Sequence, residues 1–89
     1  MISRKVTIVN RLGLHARAAT RLVNCTSEFD SEIFVRKGAR AVNGKSIMGV
    51  LMLAAATGTE LVIEADGTDE NQALDALTEL IVNRFGEEE

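Results

Sequence analysis

The sequence of 89 residues contains no proline, tryptophan or tyrosine, and phenylalanine occurs only three times. A surface that stacks nucleic-acid bases needs more exposed aromatic rings than this. The one cysteine, Cys25, can form neither an internal disulfide nor a zinc site by itself. The longest apolar run, residues 47–56, falls well short of the ~20 residues that span a bilayer. No secretory leader is recognisable either, so we expect a cytoplasmic protein without membrane insertion.

The length limits the domain content. A chain of 89 residues builds one hydrophobic core and has no room for separate nucleotide-binding and substrate-binding domains. Hydrophobic residues make up 46% and charged residues 26%, which is typical of globular proteins and excludes a chain that is disordered throughout. We expect a single domain over residues 1–86 and an acidic C-terminal tail, 87–89, that is frayed and solvated.

Charge of each sign is concentrated in one half of the chain. Residues 1–45 contain nine Lys/Arg and three Asp/Glu, whereas residues 46–89 contain one arginine and ten acidic residues. If folding keeps the cationic side chains together, they form a positive region that attracts anions. If the fold interleaves the two halves, the charges are scattered. The sequence leaves both outcomes open, and we favour the first.

The apolar pattern changes its period several times along the chain. Alternating residues predict strands over 2–9, 32–36, 39–42 and 59–65. Helical spacing predicts helices over residues 16–26, from 47 to a stop near Gly58, and from a cap at Thr68 or Asp69 to Gly86. The order β-α-β-β-α-β-α predicts an α+β fold, with one antiparallel sheet and the helices on one of its faces.

The only histidine, His15, lies between a glycine-containing loop, 10–14, and the first predicted helix. At a helix N-terminus the first N–H groups lack partners and the peptide dipoles sum to a partial positive charge. This disfavours the protonated imidazole and leaves the neutral, nucleophilic form. After a phosphoryl transfer, the amides near Ala16 and the Arg17 guanidinium can donate hydrogen bonds to the phosphoryl oxygens. We therefore interpret His15 as a candidate phosphoryl acceptor in a covalent carrier.

Residue spacing alone leaves a plainer interpretation open. A lone histidine near a helix start is more often a capping or surface residue than a reactive one. The sequence shows no set of Ser or Cys, His and Asp for acyl transfer. One histidine also cannot build a catalytic zinc site without carboxylate or thiolate ligands, so we predict no metal and no cofactor.

Two segments resemble the signature motifs of the HPr family, the histidine-containing phosphocarriers of the bacterial phosphoenolpyruvate-dependent phosphotransferase system. Residues 10–20 read NRLGLHARAAT and resemble the active-site motif. Residues 42–51 read VNGKSIMGVL and resemble the motif around a regulatory serine. Because length and element order agree as well, the resemblance covers essentially the whole chain. It implies an open-faced β-sandwich whose four-stranded sheet has the order 1-4-2-3.

The resemblance also implies residue roles and partners. His15 would accept the phosphoryl group on Nδ1 from phosphorylated enzyme I and pass it to the A domain of a sugar-specific enzyme II. Arg17 would stabilise the phosphoryl group, and Ser46 matches the serine that HPr kinase/phosphorylase modifies in many bacteria. The chain is then a phosphoryl carrier and not an enzyme, expected to be monomeric and to bind no nucleic acid. Most family members have proline where this chain has Ala18, and we expect little change in chemistry because alanine is a good helix former.

The second predicted helix is apolar nearly all round. A helix on an open sheet buries only one stripe, so some of these side chains are exposed and suit partner docking. Methionine fits such a surface because it is flexible and polarizable. By resemblance, this surface lies beside His15 and joins the first helix in docking. The partner-binding candidates are Arg21, Asn24, Ile47, Met48, Leu51 and Met52.

Several alternatives remain open. The nitrogen-related paralogue of HPr shares the His-Ala-Arg core, so the chain could serve a nitrogen branch instead of sugar uptake. It could also be a regulatory module, in which phosphorylation at His15 or Ser46 changes the bound protein without onward transfer. A small RNA-binding domain agrees with the basic first half but not with the few aromatics or the acidic second half. Ser46 alone could be only a helix cap, a role that contributes about 1 kcal/mol.

Overall fold

The computed structural model describes residues 1–89, which form four strands, three α-helices and a short 3-10 turn. The strands are β1 (Ile2–Thr7), β2 (Glu32–Lys37), β3 (Arg40–Asn43) and β4 (Glu60–Asp66). The helices are α1 (Ala16–Thr26), α2 (Ile47–Met52) and α3 (Glu70–Val82), and the 3-10 turn covers Arg84–Gly86. This order confirms the predicted arrangement. None of the helices combines the length and the apolar character that crossing a membrane requires.

The strands pair antiparallel into one sheet in the order β1-β4-β2-β3. Val6 lies opposite Leu61 across β1 and β4, and Val35 lies opposite Ile63 across β2 and β4. All four side chains are buried, because paired residues and every second residue of a strand share one face of the sheet. α3 packs against β1 and β4, and α1 packs against α2 and α3. The predicted α+β fold and its sheet order are confirmed.

The core lies between this sheet face and the helices. α1 contributes Ala19 and Leu22, and α3 contributes Leu77, all of which have no exposed surface. Their burial stabilises the fold at roughly 25 cal/mol for each Å² of apolar surface removed from water. Cys25 packs at the edge of the core, where burial first, and then the charge of Glu28, raises the pKa of its thiol.

α2 is shorter than predicted. The helix ends at Met52, and Ala54 takes a left-handed backbone with φ of 49°, so the helix does not continue to Gly58. Ala55 instead is buried, and its carbonyl accepts a hydrogen bond from the Leu14 N–H at 2.9 Å. This long-range contact overrides the high helix propensity of the alanine run.

The loop before α1 is fixed to the segment before β4 by backbone hydrogen bonds. The bonds run from Ile8 N to Thr59 O (2.9 Å), from Gly58 N to Ile8 O (2.7 Å) and from Leu14 N to Ala55 O (2.9 Å). Gly13 lies between them with φ of 69°, and a Cβ there would stand only 2.5 Å from the Ala55 oxygen. Only glycine allows the two segments to approach this closely, and the approach places the first residue of α1.

We expect Gly13→Ala to lower the free energy of unfolding by about 3 kcal/mol or more, since it adds a backbone clash to the strain of a left-handed alanine. Gly38→Ala is the matched control, because Gly38 has a similar φ of 58° but nothing within 4 Å of an added Cβ. It should cost only about 1 kcal/mol. Urea unfolding measures both values, and equal losses would show that the close approach at Gly13 is unimportant.

Candidate functional site

His15 is the residue that begins α1. It occupies the N-cap position in an extended conformation, with φ of −75° and ψ of 178°, and its carbonyl accepts the first bond of the helix, from Ala19 N–H at 2.8 Å. Its imidazole makes no capping hydrogen bond. The N–H groups of the first helical turn therefore have no partner from this side chain and can face an anion.

The C-terminal end of the chain returns to His15. Phe85 is buried in the core, its backbone is left-handed with φ of 55°, and its carbonyl accepts a hydrogen bond from the Arg21 guanidinium. Glu87 follows, and its Oε2 lies 2.5 Å from the Nε2 atom of His15. Its other oxygen, Oε1, accepts a hydrogen bond from the Asn10 amide at 2.9 Å.

The expectation that residues 87–89 form a frayed, solvated tail is therefore wrong for Glu87. Its side chain is only 15% exposed and joins two parts of the chain that are more than 70 residues apart in sequence. The cause is the burial of Phe85 in the core, which fixes the backbone at this point. The residues that follow Phe85 therefore cross the start of α1. Glu88 and Glu89 are exposed.

The environment of Glu87 favours its carboxylate form. The pKa of Glu87 lies below its ordinary value of 4.5, most strongly because the Asn10 amide donates a hydrogen bond to the carboxylate. Partial burial acts in the opposite direction. The hydrogen bond and charge of His15, and the charge of Arg21, lower the pKa further. At neutral pH the group facing His15 is therefore an anion.

An open pocket of about 720 Å³ surrounds His15, and Arg11 and Arg17 form part of its wall. Arg11 is paired with Glu89 at 2.5 Å, in an exposed contact that is worth little in water. Arg17 is exposed and forms no salt bridge. The basic half thus provides cations around His15, but the acidic tail lies among them, so the two halves meet at this site.

The other predicted site residues lie on α1 and α2. Ile47, Met48 and Met52 are exposed, at 41%, 68% and 55%, while Leu51 is half-buried. Exposed Leu12 adds a further apolar side chain on the wall of the His15 pocket. We call Ile47, Met48, Leu51 and Met52 of α2 the apolar patch.

On α1, Asn24 is exposed, whereas Arg21 is half-buried and already bonded to the Phe85 carbonyl. Ser46 caps α2 as predicted, because its Oγ accepts a hydrogen bond from the Gly49 N–H at 3.1 Å. The hydroxyl is half-buried directly before the apolar patch. A modification of Ser46 would therefore place its charge beside Ile47.

Sequence reasoning missed Asn10 and Glu87 as neighbours of His15. Asn10 is fully buried, and its amide donates to the Gly13 carbonyl at 2.8 Å as well as to Glu87. A polar residue in a turn gives no sign of such burial. The one indication in the sequence that these parts of the chain meet was their opposite charge, basic around His15 and acidic over residues 87–89.

Comparison with known proteins gives a match over nearly the whole chain. A family model described as the PTS HPr component phosphorylation site matches residues 2–83. The phosphocarrier protein HPr of Neisseria meningitidis is 52% identical to this chain over 89 residues, and the match covers 100% of both chains. Similarity of this extent identifies a common family and a common fold.

Solved structures agree with this match. The structure of HPr-C-His from Thermoanaerobacter tengcongensis superposes with a TM-score of 0.96 at 43% identity, with 100% of both chains covered. An HPr dimer from the same organism superposes with a TM-score of 0.79 at 42% identity, over 98% of this chain and 100% of that chain. The sheet order and helix positions described above are those of this structural family.

The lowered pKa of Glu87 predicts a pH dependence of stability. Between that lowered pKa and about pH 4.5 the unfolded chain binds more protons at this group than the native protein does. The stabilisation by Glu87 is therefore present above pH 4.5 and is lost as the pH falls through the lowered value. We expect Glu87→Gln to destabilise the protein at pH 7, by a difference that shrinks toward pH 3.

Urea unfolding of both proteins between pH 7 and pH 3 measures this difference. Glu88→Gln is the matched control, because Glu88 is exposed and forms no salt bridge. A difference that stays constant across the range would show that the carboxylate of Glu87 is not responsible.

Proposed function

The chain belongs to the HPr family of phosphocarrier proteins of the phosphotransferase system, and on this premise we propose that His15 carries the phosphoryl group. The donor is phosphorylated enzyme I, and the acceptor is the A domain of a sugar-specific enzyme II. The observation that carries the proposal is the placement of the only histidine at the start of α1, with no capping bond to its ring and with Arg17 in the same pocket.

The chemistry needs little from the protein beyond position and charge. The lone pair of His15 Nδ1 attacks phosphorus, and the bond from phosphorus to the donor atom breaks with its electron pair returning to the donor. The phosphoryl oxygens then accept hydrogen bonds from the unpaired amides at the start of α1 and from Arg17. Each charge-assisted bond of this kind contributes about 1.5–3 kcal/mol.

The partners dock on the surface beside His15. The apolar patch provides exposed hydrophobic side chains, and Arg21 and Asn24 add polar groups on α1. Two exposed methionines allow one surface to fit both the donor and several acceptors. Because the chain receives the group and gives it up again, it acts as a carrier and not as an enzyme.

We propose that the chain is a monomer in the cytoplasm. Residues 1–86 form its one domain, and the tail, 87–89, lies at the His15 site. Its full-length similarity to proteins named phosphocarrier protein HPr favours the sugar branch over the nitrogen branch. The HPr dimer of Thermoanaerobacter tengcongensis shows that this fold also assembles in pairs in that protein. Docking through one patch per chain needs no second copy.

Incubation with enzyme I, magnesium and phosphoenolpyruvate should add one phosphoryl group to the chain, in a bond that is labile to acid as a phosphoramidate is. His15→Ala should gain none, because the sequence contains no second histidine. Intact-protein mass spectrometry measures both. Labelling that persists in His15→Ala would overturn the assignment of the acceptor.

Arg17→Ala should slow phosphorylation by about tenfold or more, which corresponds to one lost charge-assisted bond in the transition state. Arg40→Ala is the control, because Arg40 is an exposed arginine on β3, outside the His15 pocket. The phosphorylated chain is then mixed with the A domains of its organism. Transfer to none of them would favour the regulatory module over the carrier.

We further propose Ser46 as a second phosphorylation site, the target of an HPr kinase/phosphorylase, whose charge weakens docking at the apolar patch. Ser46→Asp keeps a good N-cap and adds the charge, so it should slow phosphoryl transfer to His15 with little loss of stability. Ser46→Ala removes the cap, should cost about 1 kcal/mol of stability, and should leave the transfer rate nearly unchanged. Equal rates for both variants would exclude an effect of charge.

A further inference from the structure

Glu87 and His15 form a close polar contact at the candidate site. The carboxylate oxygens each have a separate partner, the Nε2 atom of His15 at 2.5 Å and the Asn10 amide at 2.9 Å. Asn10 is itself fully buried and bonded to the loop backbone. The carboxylate is therefore held from two sides, and it holds the imidazole ring in turn.

A carboxylate can only accept hydrogen bonds. The ring atom that faces it, Nε2, must therefore carry the proton, and in a neutral imidazole the other nitrogen, Nδ1, then bears the lone pair. The protein makes no hydrogen bond to Nδ1. The contact thus keeps the proton on Nε2 and leaves the lone pair of Nδ1 free to act as the nucleophile.

From these contacts we propose that Glu87 is a positioning residue for phosphoryl transfer at His15. It selects the Nε2–H tautomer, fixes the ring in one orientation, and balances the positive charge of the ring once Nδ1 is phosphorylated. This inference rests on His15 as the phosphoryl acceptor. It adds a residue from the extreme C-terminus, outside both signature motifs, to the transfer machinery.

The step is balanced without a proton transfer. The bond between phosphorus and the donor atom breaks, its electrons return to the donor, and the Nδ1 lone pair forms the new bond to phosphorus. The proton on Nε2 stays where it is, so the phosphorylated ring is cationic. A carboxylate on Nε2 stabilises this cation, as the carboxylate of a catalytic triad stabilises its imidazolium.

The surrounding structure holds Glu87 in place. Phe85 is 1% exposed, and the Arg21 guanidinium donates to its carbonyl two residues before Glu87. Arg11, Arg17 and Arg21 provide cationic charge near the site, and Glu88 and Glu89 add anionic charge in the same tail. Of these carboxylates only Glu87 contacts the imidazole.

A carboxylate at this site could instead occupy the place of the phosphoryl group and block transfer. The geometry favours positioning, because Glu87 contacts Nε2 and Asn10, whereas Nδ1 and Arg17 are left without a partner. The two roles predict opposite effects of removing the carboxylate. Positioning makes the variant slower, and blocking makes it faster.

The tautomer can be measured before any phosphoryl transfer, because the chain contains a single histidine. In protein labelled with ¹⁵N at histidine, ring nitrogen shifts at about pH 9, well above the ~6.5 of an unperturbed imidazole, should show almost only the Nε2–H form. In Glu87→Ala the fraction of the Nδ1–H form should rise at least about threefold as the ring loses its acceptor. Glu88→Ala should keep the wild-type shifts.

The second measurement is single-turnover phosphorylation by phosphorylated enzyme I. Glu87→Ala should be about tenfold slower at saturating donor, the size of effect typical of residues that orient a histidine ligand. The half-saturating donor concentration should not rise, because Glu87 contacts the ring and not the donor. A chain that ends at Gly86 should behave like Glu87→Ala, which covers the case in which one variant folds poorly.

An unchanged tautomer in Glu87→Ala, or a rate equal to or above that of the wild type, would overturn the inference. Labelling of His15→Ala would instead overturn the proposed function, while the tautomer result would still stand. The two failures are therefore distinguishable. A merely structural role of the tail would lower the melting temperature without changing the tautomer.

Discussion

The close backbone contact between the loop before α1 and the segment before β4 determines where His15 stands. Gly13 permits this contact because it has no Cβ. The Ala55 carbonyl therefore comes close enough to accept a hydrogen bond from the Leu14 N–H. The same contact ends α2 after six residues and gives α1 its starting point. A reactive histidine at a helix N-terminus needs such a rigid support, because its lone pair must meet phosphorus at a defined distance and angle.

The second support comes from the opposite end of the chain. Phe85 inserts into the core, and the carboxylate of Glu87 then reaches both Asn10 and His15. Two segments more than 70 residues apart in sequence thus meet at one imidazole. The hydrogen bonds within this group are shielded more than those of the exposed pair between Arg11 and Glu89. Their strength therefore depends more on geometry than on ionic strength.

Local signals in the sequence were sufficient for the elements of the fold. The bounds of α1 and the cap at Ser46 follow from residues within one helical turn, and the alternation of Leu61 and Ile63 identifies the buried face of β4. The resemblance to the HPr family provided the sheet order. The end of α2 and the position of Glu87 were predicted wrongly, because both depend on contacts between residues far apart in sequence. The predictions of a longer helix and of a solvated terminus would hold only for a chain without those contacts.

A phosphoryl carrier must hold its group firmly enough to receive it and loosely enough to release it. In the proposed mechanism Arg17 and the amides of α1 stabilise the phosphoryl oxygens, whereas the carboxylates of the tail repel them and compete for cations such as Arg11. Uniformly stronger binding would lower the energy of the phosphorylated state and slow the onward step. The meeting of the basic and acidic halves at His15 therefore suits a carrier better than a purely basic pocket. In the proposed mechanism Glu87 meets both demands, because it leaves Nδ1 open in the neutral ring and balances the positive charge of the ring once Nδ1 is phosphorylated.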